Sequence, residues 1–131
     1  MAPVPLLIVT HGTLGAALVE AARDVGGDVG GIEPLSNDHL SAEALADEIR
    51  RHITAWPAGG IVLCDLPGGS THTRALSAAR GVAGVEVITG GNLPMLLFYL
   101  SRRDELPVHE LAQGMCERGQ KCIRAQRADT P

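Results

Sequence analysis

His11 is the residue of this sequence whose position best fits a chemical role. It follows a continuous apolar run over residues 6–9, and Gly12 after it leaves room for another molecule to approach. An imidazole titrates near neutral pH and its unprotonated nitrogen is nucleophilic, so His11 can serve as a base, a metal ligand or a phosphoryl acceptor. A polar loop residue beside a helix start is the alternative interpretation of His11 taken alone.

Asp65 occupies the corresponding position after a second apolar run, residues 61–64. Aspartate is common in turns and helix caps. If the two runs form neighbouring strands, however, its carboxylate can accept a hydrogen bond from one imidazole nitrogen of His11. That contact would fix the tautomer of the ring and raise the nucleophilicity of the other nitrogen. The pair therefore fits a nucleophile and the group that orients it.

The segment after Asp65 has the composition of an anion-binding loop. Gly68, Gly69, Ser70 and Thr71 supply two glycines and two hydroxyl groups at a predicted helix start, where backbone N–H groups can converge on a phosphoryl group. A tight strand-to-helix connection would have similar residues. The loop lacks a Walker A lysine, no GxGxxG follows the first strand, and the residues around Ser70 are not the Gly-x-Ser-x-Gly of a hydrolase.

Short apolar runs alternate along the chain with stretches of helical period, which predicts an α/β fold. The predicted strands are residues 6–9, 31–35, 61–64 and 85–89, and helices are predicted from residue 14 to the Gly26–Gly27 pair, from Ser41 to before Pro57, from about Ser70, from Pro94, and from Pro107 to Gly119. We expect a doubly wound, mainly parallel four-stranded sheet with helices on both faces, with residues 31–35 at an edge. In the common strand order beginning 2-1-3, ligands bind between strands one and three, where His11 and Asp65 stand.

The composition is that of one globular domain spanning residues 1–131, with 45% hydrophobic and 20% charged residues. A net charge of −4 and only three aromatic residues argue against nucleic-acid binding. The N-terminal apolar run is too short for a signal sequence or a membrane span, so we expect no membrane insertion. Three cysteines without a CxxC pair are typical of free thiols in a reducing cytoplasm, and no histidine has metal-ligand spacing.

Three ordered segments of this chain resemble the IIA domains of mannose-family sugar phosphotransferase systems. They are residues 7–12, 63–70 and 87–96, so the likeness spans nearly the whole sequence. The resemblance implies a bacterial cytoplasmic phosphocarrier in which His11 takes a phosphoryl group from phosphohistidine on the carrier HPr and passes it to a IIB component. It implies that Asp65 orients the imidazole and that neither a metal nor a nucleotide cofactor is required.

The resemblance also assigns the residues around the phosphoryl group. Gly68, Gly69 and Ser70 would surround its oxygens, and Thr10 and Gly12 would shape the other wall. Family members are homodimers in which a final short strand crosses to the partner's sheet. Residues 119–125 occupy the matching place, so we expect a short C-terminal strand exchanged in a dimer.

The loop departs from the family pattern in two places, which bear on partner choice and transfer rate. Pro67 stands where the family commonly has an aromatic residue, and Thr71, His72 and Thr73 stand where it has proline, a variable residue and asparagine. His72 is the histidine nearest to the loop in sequence, and it could affect specificity or pH response or simply lie on the surface.

Four functions remain open at the level of sequence. The chain can be a free-standing component of sugar import, a regulatory module whose His11 phosphorylation controls a binding partner, or a phosphoryl donor component for dihydroxyacetone phosphorylation. The fourth is a flavodoxin-like protein that holds a nucleotide or flavin. The absence of aromatic residues from the three strand-end loops argues against the last.

Overall fold

Four parallel strands form one sheet in the computed structural model, which describes residues 2–129. The strands are β1 (Leu6–Thr10), β2 (Ile32–Ser36), β3 (Gly60–Cys64) and β4 (Val85–Ile88). Their order in the sheet is β2-β1-β3-β4, and every adjacent pair is parallel. The predicted order beginning 2-1-3 is confirmed, and so is the edge position of β2.

Helices cover both faces of this sheet. The helices are α1 (Leu14–Gly26), α2 (Ala42–Thr54), α3 (Ser70–Ala79), α4 (Leu93–Arg102) and α5 (Val108–Lys121). Helices α1, α4 and α5 pack on one face and α2 and α3 on the other. The doubly wound α/β fold expected from the alternating pattern is therefore confirmed.

The two central strands are buried along their whole length, as their continuous apolar sequences predict. Successive side chains of β1 point to opposite faces: Leu6 and Ile8 join the core under α1, α4 and α5, and Leu7 and Val9 join the core under α2 and α3. This double burial holds the ends of β1 and β3 in fixed positions, and the candidate site lies on those ends.

Local signals in the sequence explain where several helices begin. The Ser41 hydroxyl accepts a hydrogen bond from the Ala44 N–H, and the Asn92 side chain accepts one from the Met95 N–H. Pro94 lies in the first turn of α4, where its missing N–H costs nothing. Gly27 follows the last residue of α1, as the paired glycines predict.

The C-terminal region differs from the sequence prediction. Helix α5 does not end at Gly119 but continues to Lys121. Gly119 is buried inside the helix because α4 packs closely there: a Cβ atom at this position would lie 2.6 Å from Cε of Met95. The predicted extended tail at residues 121–125 is thus partly helical, and residues 123–127 have no regular secondary structure in this single chain.

None of the helices within residues 2–129 is long and apolar enough to cross a membrane.

Candidate functional site

His11 and Asp65 meet at the carboxyl ends of the two central strands. Val9 and Cys64 are partners in the register of β1 and β3, so the residues that follow both strands emerge side by side. Nδ1 of His11 lies 2.8 Å from Oδ2 of Asp65, and the His11 backbone N–H donates to the same oxygen at 2.9 Å. The predicted pairing of imidazole and carboxylate is present in the structure.

The carboxylate fixes which nitrogen of His11 is available for chemistry. An ionised carboxylate can only accept hydrogen bonds, so the proton of a neutral His11 ring lies on Nδ1 and the lone pair lies on Nε2. The His11 side chain is 46% exposed, whereas that of Asp65 is only 10% exposed. The ring of His11 is therefore accessible, whereas the carboxylate that holds it is largely buried.

Hydrogen bonds keep Asp65 ionised. Burial raises the pKa of this carboxyl, but hydrogen bonds from the His11 backbone, the His11 ring and the Thr71 hydroxyl outweigh it, so the pKa lies below its ordinary value. The Thr71 hydroxyl donates to Oδ1 at 2.8 Å, which leaves the other oxygen to His11. Asp65 can thus balance positive charge on the ring.

Helix α3 begins beside the exposed nitrogen. Gly69 is its N-cap and provides no side chain to cap it, and a Cβ atom at this glycine would lie 3.6 Å from Cε1 of His11. The first N–H groups of a helix have no intrahelical partner and carry the positive end of the helix dipole. The Ser70 hydroxyl is 3.4 Å from Nε2 of His11. An anion on Nε2 would meet this helix start.

Several predicted site residues support the loops with groups that are already hydrogen-bonded. The Thr10 hydroxyl is buried and accepts from the Gly15 N–H at 2.8 Å, so it caps α1 in place of Thr13, whose side chain makes no capping bond. The N–H of Gly12 donates to Oδ1 of Asn37 at 3.3 Å.

Gly68 contributes backbone conformation more than a free N–H group. Its φ of +76° is in the left-handed region, which glycine adopts without strain. Its N–H donates to Nδ1 of His72 at 2.9 Å. The Thr71 hydroxyl donates to Asp65. The Gly68 N–H and the Thr71 hydroxyl are therefore both used in hydrogen bonds within the protein.

Two residues of this region were missed as site residues in the sequence. Asn37 follows β2 and holds Gly12, and a signal for it existed, because it stands at the carboxyl end of a strand adjacent to β1. For His72 the sequence indicates an effect on specificity or pH response, or a surface position, but not a contact within the loop. Its contact with Gly68, four residues earlier, depends on the way the loop folds back onto the first turn of α3.

Cys64 lies beneath the site, and its thiol is unreactive. Its thiol is fully buried, and burial together with the neighbouring Asp65 charge raises its pKa to about 12. The thiol therefore stays protonated at neutral pH. Among residues 2–129, no cluster of three or more histidine, cysteine, aspartate or glutamate side chains could hold a metal ion.

Comparison with known proteins gives one family and one fold. The family model described as PTS system fructose IIA component, where PTS stands for phosphotransferase system, matches residues 5–115. Among solved structures, the chain is similar to the mannose/sorbose specific IIA subunit from Enterococcus faecalis, with 18% identity over 99% of both chains and a TM-score of 0.88. It is also similar to the PTS IIA protein associated with the fucose utilization operon from Streptococcus pneumoniae, with 22% identity over 95% of this chain and 96% of that one and a TM-score of 0.80.

A structure of a differently described protein shares the fold. The sigma-54 interaction domain protein from Enterococcus faecalis has 14% identity over 94% of this chain and 95% of its own, with a TM-score of 0.74. No curated protein sequence matches this chain significantly.

Proposed function

This chain belongs to the family of PTS fructose IIA components, and from that premise we propose that it is a phosphocarrier: His11 accepts a phosphoryl group from phosphorylated HPr and passes it to a IIB component. The observation that carries the proposal is the line of contacts from Asp65 through the His11 ring to Ser70 at the start of α3. It combines an oriented nucleophile with a place for the anion that the nucleophile would carry.

The transfer step needs no proton acceptor. The Nε2 lone pair of His11 forms the new N–P bond while the bond between phosphorus and the donor imidazole breaks, and its electron pair returns to the donor nitrogen. Nδ1 of His11 keeps its proton, and the ring gains positive charge that the Asp65 carboxylate stabilises at 2.8 Å. The second transfer reverses these roles, with the IIB nucleophile attacking the phosphorus on His11.

Stabilisation of the phosphoryl oxygens falls to the first turn of α3. A loose transition state spreads negative charge over the equatorial oxygens, and preorganised N–H donors stabilise that charge without reorganising. The N–H groups of Ser70, Thr71 and His72 belong to this first turn. The Ser70 hydroxyl can donate to an oxygen of the same group from its position near Nε2.

Intact-mass measurement tests the proposal. The full chain would be incubated with phosphoenolpyruvate, enzyme I and HPr, alongside His11→Ala and, as a matched control, His52→Ala, in the last turn of α2. We expect one acid-labile phosphoryl group in the unaltered chain and in His52→Ala, and none in His11→Ala. Modification that persists without His11, or no modification at all, would contradict the proposal.

We also propose that the protein acts as a homodimer joined at β4. This strand is at the edge of the sheet, and a groove of about 320 Å³ runs beside it. The groove, called here the β4 groove, is lined by residues that include Val87, Ile88, Ala112 and Cys116. Residues 123–127 are exposed and without regular structure, and Ile123 is 75% exposed. This segment of one copy can add a strand to β4 of another.

A regulatory role is the second candidate. The same fold occurs in the protein described as a sigma-54 interaction domain protein, so this architecture is not confined to proteins described as sugar-system components. Phosphorylated protein mixed with purified IIB components of the same organism separates the two roles. Rapid loss of the phosphoryl group from His11 to IIB supports the carrier role, and retention against every IIB component supports regulation.

A further inference from the structure

The His72 side chain makes a contact that the phosphocarrier chemistry does not use directly. His72 is the third residue of α3, and its ring reaches back over the helix start to accept the Gly68 N–H at 2.9 Å. In a capping box, the third residue of a helix reaches back in the same way to the N–H of the N-cap residue. Here the contact is made one residue earlier, to the glycine before the N-cap Gly69.

Such a contact matters here because the loop contains two consecutive glycines, whose ordering is costly. Two consecutive glycines lose more backbone entropy on ordering than any other pair, and Gly68 must also be held at a φ of +76°. Asp65 at one end of the loop is held by His11 and Thr71. Gly69 is held by the Thr73 N–H, which donates to its carbonyl at 3.0 Å, and by its own N–H, which donates to the Leu66 carbonyl at 3.3 Å. The Gly68 N–H is held by His72.

We propose that His72 is a positioning residue, whose unprotonated Nδ1 holds Gly68 and so places Ser70 and the first N–H groups of α3 against His11. Ser70 stands two residues after Gly68, and its hydroxyl is 3.4 Å from Nε2 of His11. Release of Gly68 frees the segment that leads into this residue. The result is a loop that binds the phosphoryl group less well in the transition state, with the nucleophile itself unchanged.

A spectroscopic experiment tests the contact without any phosphoryl transfer. In the full ¹⁵N-labelled chain, the Gly68 N–H and Nδ1 of His72 should show a scalar coupling across the hydrogen bond. In His72→Phe the coupling is lost and the Gly68 N–H should exchange faster with solvent. His72→Asn places an amide oxygen near the former Nδ1 and should restore slow exchange. If the Gly68 N–H exchanges with solvent at the same rate in His72→Phe as in the unaltered chain, the proposal is overturned.

A kinetic experiment tests the consequence, and it rests on the proposed function. With phosphorylated HPr as donor, we expect His72→Phe to lower the limiting transfer rate about two- to tenfold, the factor that one net hydrogen bond supplies, with little change in donor affinity. His72→Asn should recover most of the rate, and His52→Phe, in the last turn of α2, is the matched control. An undiminished rate in a folded His72→Phe variant would overturn the positioning role.

The two experiments separate the possible failures. If the unaltered chain accepts no phosphoryl group, the proposed function fails and the coupling still decides whether His72 holds the loop. If His72→Phe unfolds, as thermal unfolding would reveal, the comparison of His72→Asn with the unaltered chain still measures whether an acceptor at this position is sufficient. If His72→Asn is folded but its transfer rate is two- to tenfold below that of the unaltered chain, the result would count against the proposal.

Discussion

Asp65 determines the chemistry of His11 more than any other residue in the site. Its carboxylate accepts from both the backbone and the ring of His11, so it fixes at once the position and the tautomer of the side chain that we propose as the nucleophile. In Asp65→Asn the amide can present an N–H to Nδ1, which favours the tautomer with the proton on Nε2 and removes the attacking lone pair.

We expect Asp65→Asn to lower the rate of His11 phosphorylation by roughly 10²-fold. Rapid-quench transfer from phosphorylated HPr measures this rate. Asp47→Asn, at an exposed position on α2, is the matched control and should transfer like the unaltered chain. An Asp65→Asn rate within a factor of about two of the control would remove Asp65 from the mechanism.

The lowered pKa of Asp65 also makes a prediction about stability. The hydrogen bonds from His11 and Thr71 bring the folded-state pKa below the ordinary value of 3.8 despite the opposing effect of burial. The ionised form therefore stabilises the fold above about pH 4, and this contribution is lost as the pH falls through the lower folded-state value. Urea unfolding between about pH 5 and 2 should show a weaker acid dependence in Asp65→Asn than in Asp47→Asn.

A close approach of two glycines controls how β3 and β4 begin. Gly59 has a φ of +78°, and a Cβ atom there would overlap the Gly84 carbonyl, lying 2.6 Å from its carbon. The Gly60 N–H donates to that same carbonyl at 3.1 Å. The backbone of the turn before β4 therefore packs directly on the start of β3.

Gly59→Ala should destabilise the protein by about 3 kcal/mol, because it adds a steric overlap to the strain of a left-handed alanine. Gly81→Ala separates the two causes: Gly81 has nearly the same φ, +79°, with nothing within 4 Å of an added Cβ. It should cost only about 1 kcal/mol. Equal losses in the two variants, measured by chemical denaturation, would show that the overlap is relieved elsewhere.

The elements that hold the site could be predicted because their signals are local. The runs at residues 6–9 and 61–64 are apolar throughout, as expected for strands covered on both faces, and Ser41 caps the helix that it was predicted to begin. The end of α5 could not be predicted, because Gly119 normally signals a helix end. Here it is retained inside the helix by contact with Met95, which is distant in sequence.

The candidate site was predictable to the same extent. The pairing of His11 with Asp65 follows from strand order alone, since adjacent parallel strands end at one edge of the sheet. The role of His72 does not follow, because it depends on the conformation of a loop with two consecutive glycines. The sequence shows that a histidine follows the loop, but only the folded conformation of the loop shows that its ring accepts the Gly68 N–H.

At the scale of the whole molecule, the two proposed activities use different parts of the sheet. His11 follows the central strand β1, whereas the β4 groove borders the outer strand, and β3 lies between them. Carrying a phosphoryl group and joining a second copy therefore do not compete for the same strand end. The groove is lined by apolar and polar residues of both β4 and α5, and the polar ones are Glu86, Gln113, Glu117 and Gln120.

The dimer predicts a concentration-dependent mass that depends on residues 123–127. Light scattering under reducing conditions, which exclude a disulfide through the exposed Cys122, should give the mass of two chains for the full protein and of one chain when residues 123–131 are removed.

Proline substitutions test strand pairing itself. Successive N–H groups of an edge strand point to alternate sides, so of Arg124→Pro and Ala125→Pro one removes an inter-strand hydrogen bond and weakens the dimer more than the other. Equal masses for the full and shortened chains at every concentration would contradict strand addition at β4, because the segment that supplies the strand would then contribute nothing to assembly.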